Sequence, residues 1–193
     1  MFSKTRLSLR KKNTIFPFLP NYKQDMSKDL QTVTTDGTRI IKHIEGVIIK
    51  KRSTHIDDRG SVCEMIDQRW EIINEPILYS YFYTTRPKKI KGWGMHKTYS
   101  DRYFVVTGEI ELVLYDDRAS SSTYKNICRY YLSEYDRCLI TIPPFVWHVH
   151  KNIGDKDAMI VNFPTKPYDH NNPDKYRKAI DCDELPYPFK ATI

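Results

Sequence analysis

The run RYFVVTGEIELVLYDD, residues 102–117, constrains this chain more than any other stretch. β-Branched and aromatic residues lie on either side of Gly108 with a period near two, which suits paired strands and not a helix. The TGE sequence at its centre supplies a glycine for the reversal between two such strands. An antiparallel hairpin in the middle of the chain is therefore expected.

Further runs of the same kind, GVIIKKR, ILYSYFYTT, ICRYYL, CLITI, WHVHKN and AMIVNF, are separated by IDDRGS, DDRASSS, PPF and NIGDKD. Short strands at this spacing predict an all-β fold, an antiparallel sandwich or barrel. Only MIDQRWEI and NPDKYRKAI read as helices, and both are short. No repeat of fixed period is visible. A glycine-rich phosphate loop, a GxSxG elbow and an HExxH pair are all missing from the sequence. The common nucleotide-hydrolase, serine-hydrolase and zinc-protease readings fall away.

A net charge of +7 over 193 residues suggests a nucleic-acid ligand until its distribution is considered. Residues 1–24 hold six basic side chains and no acid, which leaves about +1 for the remainder. The basicity belongs to an arm, residues 1–39, expected to be flexible, with Met26 as an alternative start. Residues 40–193 are expected to form a single domain with a sizeable core. The arm has no apolar stretch near the roughly 20 residues of a membrane span. Neither nucleic acid nor membrane is an expected partner. Four cysteines without CxxC spacing, and no secretory signal, point to reduced thiols and a cytoplasmic location.

Two histidines suggest where the chemistry lies. In GMHKTYSDRYFVVTG, four residues separate His96 from Asp101 and six more separate Asp101 from Gly108. In PPFVWHVHKN, His148 follows Pro143 by five positions and precedes Asn152 by four. This resembles the two-part signature of the cupin superfamily, in which strands of a small jelly-roll barrel turn alternate side chains into the lumen. A metal-binding cupin takes two histidines and a glutamate from the first part and a histidine from the second. Here Gly94 holds the first histidine position and Asp101 that of the glutamate. His96, Asp101 and His148, with His150 on the same strand face, make only a partial ligand set for a divalent ion.

A closer resemblance covers residues 45–185. DDRG followed by Glu64, then GMH, VVTGEIELVLYDDR, IPPFVWH and FPTKPY are similar, in order and spacing, to the dTDP-4-dehydrorhamnose 3,5-epimerase family of cupins. The resemblance implies a cupin jelly roll that works without metal or other cofactor, a homodimer, and a nucleotide-linked 4-keto-6-deoxyhexose as substrate. It implies His96 as the base that removes a proton next to the ketone, a step that suits imidazole because it titrates near neutrality. Arg59 falls where the family presents an arginine to the diphosphate, which a planar fork of donors can hold. Glu64 falls on a binding position after it.

The chain also departs from that family. Trp93 replaces an arginine three residues before the base. Asp101 replaces the lysine that stabilises the enolate, so an anion stands where a cation is needed. That task moves to His148 or Arg102, or the reaction is lost. Asn162 occupies the position of the tyrosine acid, while Thr165 and Tyr168 match the family, which leaves Tyr168 as the candidate acid. No residue matches the carboxylate that partners the base; Asp169, Asp181 and Asp183 are candidates. The expected site is thus His96, His148 and Tyr168 for catalysis, with Arg59, Glu64, Asp101, Arg102 and Asn162 for substrate. The expected activity is epimerisation or ketoisomerisation of a nucleotide sugar in deoxysugar supply for glycans, as in the dTDP-rhamnose pathway. Two other readings compete, a sugar-binding cupin without catalysis and a metal-dependent cupin using His96, Asp101 and His148.

Tyr79, Tyr81 and Tyr83 alternate along one strand face, and Trp93 and Trp147 flank the two motifs. Such aromatics are expected chiefly in the barrel core. Aromatic-rich strands also suit a sheet that pairs with a second subunit.

Overall fold

The computed structural model describes residues 28–189 apart from 39, 41 and 187. Most of the expected basic arm, residues 1–27, lies outside the described residues. Twelve strands run through the described part: β1 Ile48–Lys51, β2 His55–Asp57, β3 Gly60–Val62, β4 Tyr81–Thr85, β5 Ile90–Met95, β6 Asp101–Thr107, β7 Glu109–Asp116, β8 Ile127–Ser133, β9 Cys138–Ile142, β10 Val146–Asn152, β11 Ala158–Asn162 and β12 Tyr176–Arg177. All pair antiparallel, in two five-stranded sheets of order β1-β9-β6-β11-β4 and β12-β5-β10-β7-β8, plus the β2-β3 hairpin. This is the all-β jelly-roll sandwich expected of a cupin. Lys42–Ile193 forms one compact unit.

The period of two in the sequence sets what faces inward. Tyr103 and Val105 of β6, Ile110, Leu112 and Leu114 of β7, and Ile140 and Ile142 of β9 meet between the sheets. Leu112, Leu114 and Ile140 are fully buried, each worth roughly 1.5–3 kcal/mol. Both outer faces are covered as well. Trp93, Val113, Tyr115 and Trp147 lie under Ile180, Leu185 and Phe189, whereas Phe104, Leu139 and Phe163 lie under the segment that carries Met65, Ile66 and Trp70. Gly108 joins β6 to β7 with φ of 80°, in the left-handed region that glycine enters without strain.

The two expected helices are not helices, and among the described residues there is none. MIDQRWEI is a pair of consecutive turns, Asp67 to Trp70 and Trp70 to Ile73. The Asp67 carboxylate accepts from the Arg69 backbone N–H at 2.8 Å, which favours a turn, and the apolar residues serve to cover β6 and β9. Within NPDKYRKAI, Tyr176 and Arg177 form β12 and extend the second sheet beside β5, pairing with Met95 and Gly94. Strand β5 itself is absent from the runs named above. Its Gly92 and Gly94 dilute the pattern, and both permit close approach, since a Cβ on Gly92 would lie 2.8 Å from Ile180 Cδ1.

Candidate active site

Five strands contribute to one pocket between the sheets. Tyr81 and Tyr83 of β4, Tyr103 of β6, His148 and His150 of β10, Lys91 of β5, Arg177 of β12 and Lys175 just before it line a cavity of about 240 Å³. A wider depression of about 410 Å³ is lined wholly by the β2-β3 hairpin, Arg59 included, and lacks the paired buried imidazoles of the smaller one. The chemistry belongs to the smaller cavity.

His96 lies at the end of β5 and is buried. Its Nδ1 bonds to the backbone carbonyl of Asp174, and its own carbonyl accepts from Phe145 N–H at 2.7 Å. Phe145 occupies the glycine position of the PxGxxH part of the cupin signature and adopts φ of 62°. A bulky residue in the left-handed region is strained, and here the strain sits directly against the histidine. A neutral ring that donates from Nδ1 to a carbonyl keeps its lone pair at Nε2. That nitrogen lies 3.1 Å from Lys175 Nζ and 3.3 Å from Asp101 Oδ2. His148 is held in the same sense, Nδ1 to the Val146 carbonyl at 3.3 Å and Nε2 to Lys175 Nζ at 3.4 Å.

Asp101 is the anion of the group. Its Oδ1 accepts from Asn162 Nδ2 at 2.7 Å, and its Oδ2 accepts from Tyr103 Oη at 3.1 Å. Burial alone would raise its pKa, but the polar groups it faces, His96, His148 and the Lys175 ammonium, hold it well below the carboxylate range. Burial, followed by the nearby Lys175 ammonium, pushes His148 down to about 3, so its ring is neutral. His150 is also pushed to about 3, first by burial and then by Lys91 and Lys175, and its Nε2 bonds to Thr85 Oγ1 at 2.9 Å.

Three donors, from His96, Asp101 and His148, lie within 4.8 Å of one another, which is the outline of a metal site. The Lys175 ammonium holds the place where an ion would meet both imidazoles. As the chain stands, its residues do not fit a metal.

The remaining candidates are spread around this group. Asn162 is fully buried, bonding Asp101, Tyr81 Oη and the Arg102 N–H, so it orients the pocket wall. Arg102 does not enter the pocket. The alternation that turns Asp101 and Tyr103 inward turns Arg102 to the other face, where it pairs with Glu75. Tyr168 is 37% exposed, packs edge-on to His170 and makes no hydrogen bond to the group. Arg59 is exposed on the β2-β3 turn and paired with Asp57, and Glu64 is exposed and paired with Arg52. Trp93, at the lost arginine position, is core. Of the carboxylate candidates, Asp169 accepts from the Asn171 and Asn172 N–H groups, and Asp181 and Asp183 are exposed.

Two residues were missed. Asp174 holds the chain against His96 through its carbonyl, while its carboxylate accepts from Lys97 N–H at 3.0 Å and Thr98 N–H at 2.7 Å. Lys175 is the cation. Both lie in a stretch read as helical; Asn172 and Pro173 before them are themselves a helix-start pattern, so no local signal marked the extended segment.

Residues 55–176 match the family described as "Polysaccharide biosynthesis C-terminal domain". The probable low-salt glycan biosynthesis epimerase Agl13 of Haloferax volcanii is 30% identical over 152 residues, covering 78% of this chain and 97% of that protein. The spore coat polysaccharide biosynthesis protein SpsL of Bacillus subtilis is 32% identical over 148 residues, covering 77% and 97%. Among solved structures, a dTDP sugar isomerase from Desulfovibrio desulfuricans G20 superposes with a TM-score of 0.70 at 25% identity, covering 74% of this chain and 90% of that one.

Proposed function

The chain belongs to the polysaccharide biosynthesis C-terminal domain family, among the dTDP-4-dehydrorhamnose 3,5-epimerase-like cupins, and we propose that it epimerises a nucleotide-linked 4-keto-6-deoxyhexose for glycan synthesis. The observation that carries this reading is the fixed tautomer of His96, whose Nδ1 is tied to a carbonyl and whose Nε2 is left as a base beside the pocket. In the reaction, Nε2 takes the proton from the carbon next to the ketone. The C–H electron pair becomes a C=C bond and the carbonyl π pair moves to oxygen, giving an enolate. Asp101 Oδ2, at 3.3 Å, then accepts from the new Nε2–H and balances the imidazolium. Protonation from the opposite face inverts the centre.

The acid is proposed to be Tyr168, which coincides with a family position other than that of the acid and would act from its loop across from His96. Tyr103 is poorly suited, because burial and the neighbouring Asp101 charge raise its pKa well above the phenol value. A cavity of about 240 Å³ is smaller than the roughly 300–1,000 Å³ of whole drug-sized ligand sites, which supports entry of the sugar with the nucleotide outside. Lys91 and Arg177 line the cavity and offer positive charge to the diphosphate, a task for which Arg59 and Glu64 are also proposed.

A homodimer in the cytoplasm completes the proposal. Exposed Ile56, Val62 and Phe82, on the hairpin and on β4 at the edge of its sheet, support a second copy as their cover. A monomeric mass by light scattering would count against it.

The test is proton NMR of a dTDP-linked 4-keto-6-deoxyglucose in D2O. Loss of the proton signal next to the ketone with wild type, and not with His96→Ala, is the expected result. Binding seen as line broadening without any exchange would move the protein to the sugar-binding class.

A further inference from the structure

We infer that Lys175 is the catalytic cation of this site, the group that donates to the ketone oxygen of the substrate and holds the negative charge of the enolate. The inference rests on the epimerase reading above and adds a residue to it.

The need is set by the chemistry. Proton abstraction next to a ketone places a full charge on the carbonyl oxygen, and a base alone accounts for roughly 10²–10⁴-fold of rate. A donor aimed at that oxygen has to supply much of the rest. Around this pocket Asp101 is an anion, His148 is neutral with its N–H turned to the Val146 carbonyl, and Arg102 faces the opposite side of its sheet. Lys175 is the ammonium that reaches both imidazoles, at 3.1 and 3.4 Å, and it lines the same cavity.

The position of this ammonium is built, not incidental. Pairing of Arg177 with Gly94 and of Tyr176 with Met95 lays β12 along β5, and the Asp174 carboxylate fastens the preceding residue to Lys97 and Thr98. Opposite, Gly94 leaves the room that the lysine fills. A Cβ there would stand 2.9 Å from Nζ, 3.0 Å from Cε and 3.3 Å from His148 Nε2. The cupin position that carries a metal-binding histidine elsewhere is thus emptied, and an ammonium from another strand stands in its place.

Without substrate the ammonium donates to two nitrogen lone pairs. Entry of the ketone gives it a third acceptor, and transfer of the N–H bond from His96 Nε2 to the carbonyl oxygen does two things at once. It polarises the C=O bond and it frees the lone pair that takes the α proton. Burial lowers the pKa of Lys175 and the Asp101 carboxylate opposes that shift, and the exchange itself moves no proton to or from the lysine.

The experiment is solvent exchange of the same 4-keto sugar in D2O with EDTA present, using wild type, Lys175→Met, Lys175→Arg and His96→Ala, with kcat and KM measured for each. Lys175→Met is expected to lower kcat about 10²–10³-fold, the scale of losing one oxyanion donor, with KM changed far less. Lys175→Arg, which keeps the charge, is expected to recover part of that loss. Gly94→Ala, which displaces Nζ without altering it, is expected to fall between them, and it carries the test if Lys175→Met does not fold. Exchange by Lys175→Met within threefold of wild type would overturn the inference. Absence of exchange in the wild type itself would instead overturn the epimerase reading, so the two failures are distinct.

Discussion

Acidification from about pH 7 to about pH 5.5 is expected to cost this fold roughly 2.5 kcal/mol of stability, through two buried rings. His148 and His150 are 5% and 4% exposed, and their pKa values are lowered from the ordinary 6.5 to about 3. Burial is the first cause for both. For His148 the Lys175 charge adds to it against the opposing Asp101 carboxylate, and for His150 the charges of Lys91 and Lys175 add to it. In the native protein both rings stay neutral until about pH 3, whereas in the unfolded chain they protonate near 6.5. The unfolded state therefore binds more protons across this window. Stability is full above about pH 6.5 and is lost as pH falls toward 3. Near pH 5.5 an unfolded histidine is about nine-tenths protonated, which amounts to roughly 1.2 kcal/mol for each ring relative to pH 7. Urea denaturation at the two pH values measures the difference directly. His150→Gln, which can still bond Thr85 but does not titrate, is expected to lose about half of it. A change below about 0.5 kcal/mol in the wild type, or a rise on acidification, would refute the reasoning.

Gly108→Ala places a Cβ 2.7 Å from Ala158 Cα at a φ of 80°, so both strain and overlap with backbone act together. A cost of about 3 kcal/mol and a melting point lower by roughly 6–12 °C are expected by calorimetry. Among the described residues, Arg102 is buried with its Nε and Nη1 unpartnered and Glu75 alone to balance its charge. Glu75→Gln should therefore destabilise more than Arg102→Met when both are compared by urea denaturation, because the first leaves a buried charge and the second removes it.

The hairpin around Gly108 and the strands β8 to β11 were legible because each is a local pattern: alternating apolar residues bounded by turn residues. His96, Asp101 and His148 were legible as a group because their spacings on two strands fix which side chains share the lumen. The location of Arg102 was legible too, since a residue between two inward-facing positions must face outward, yet its charge outweighed that argument. Strand β12 was not. Two residues carry no periodicity, and what makes them a strand is the register with β5 and the grip of Asp174 on Lys97 and Thr98, some 76 or 77 positions away in the chain. The cation of the site was hidden for the same reason, because its relevance comes from where a short edge strand docks.

The carbonyl of Asp174 has a consequence for how such sites are found. The group that sets which nitrogen of His96 bears the proton belongs to the main chain. A substitution at residue 174 changes the side chain and leaves that oxygen in the polypeptide, so an alanine scan has no means of deleting it. Two homologous chains can differ at this position and keep the same proton arrangement. They can also agree at every side chain and lose it through a one-residue slip of β12. Alignment columns record identity, whereas this determinant is recorded only in register.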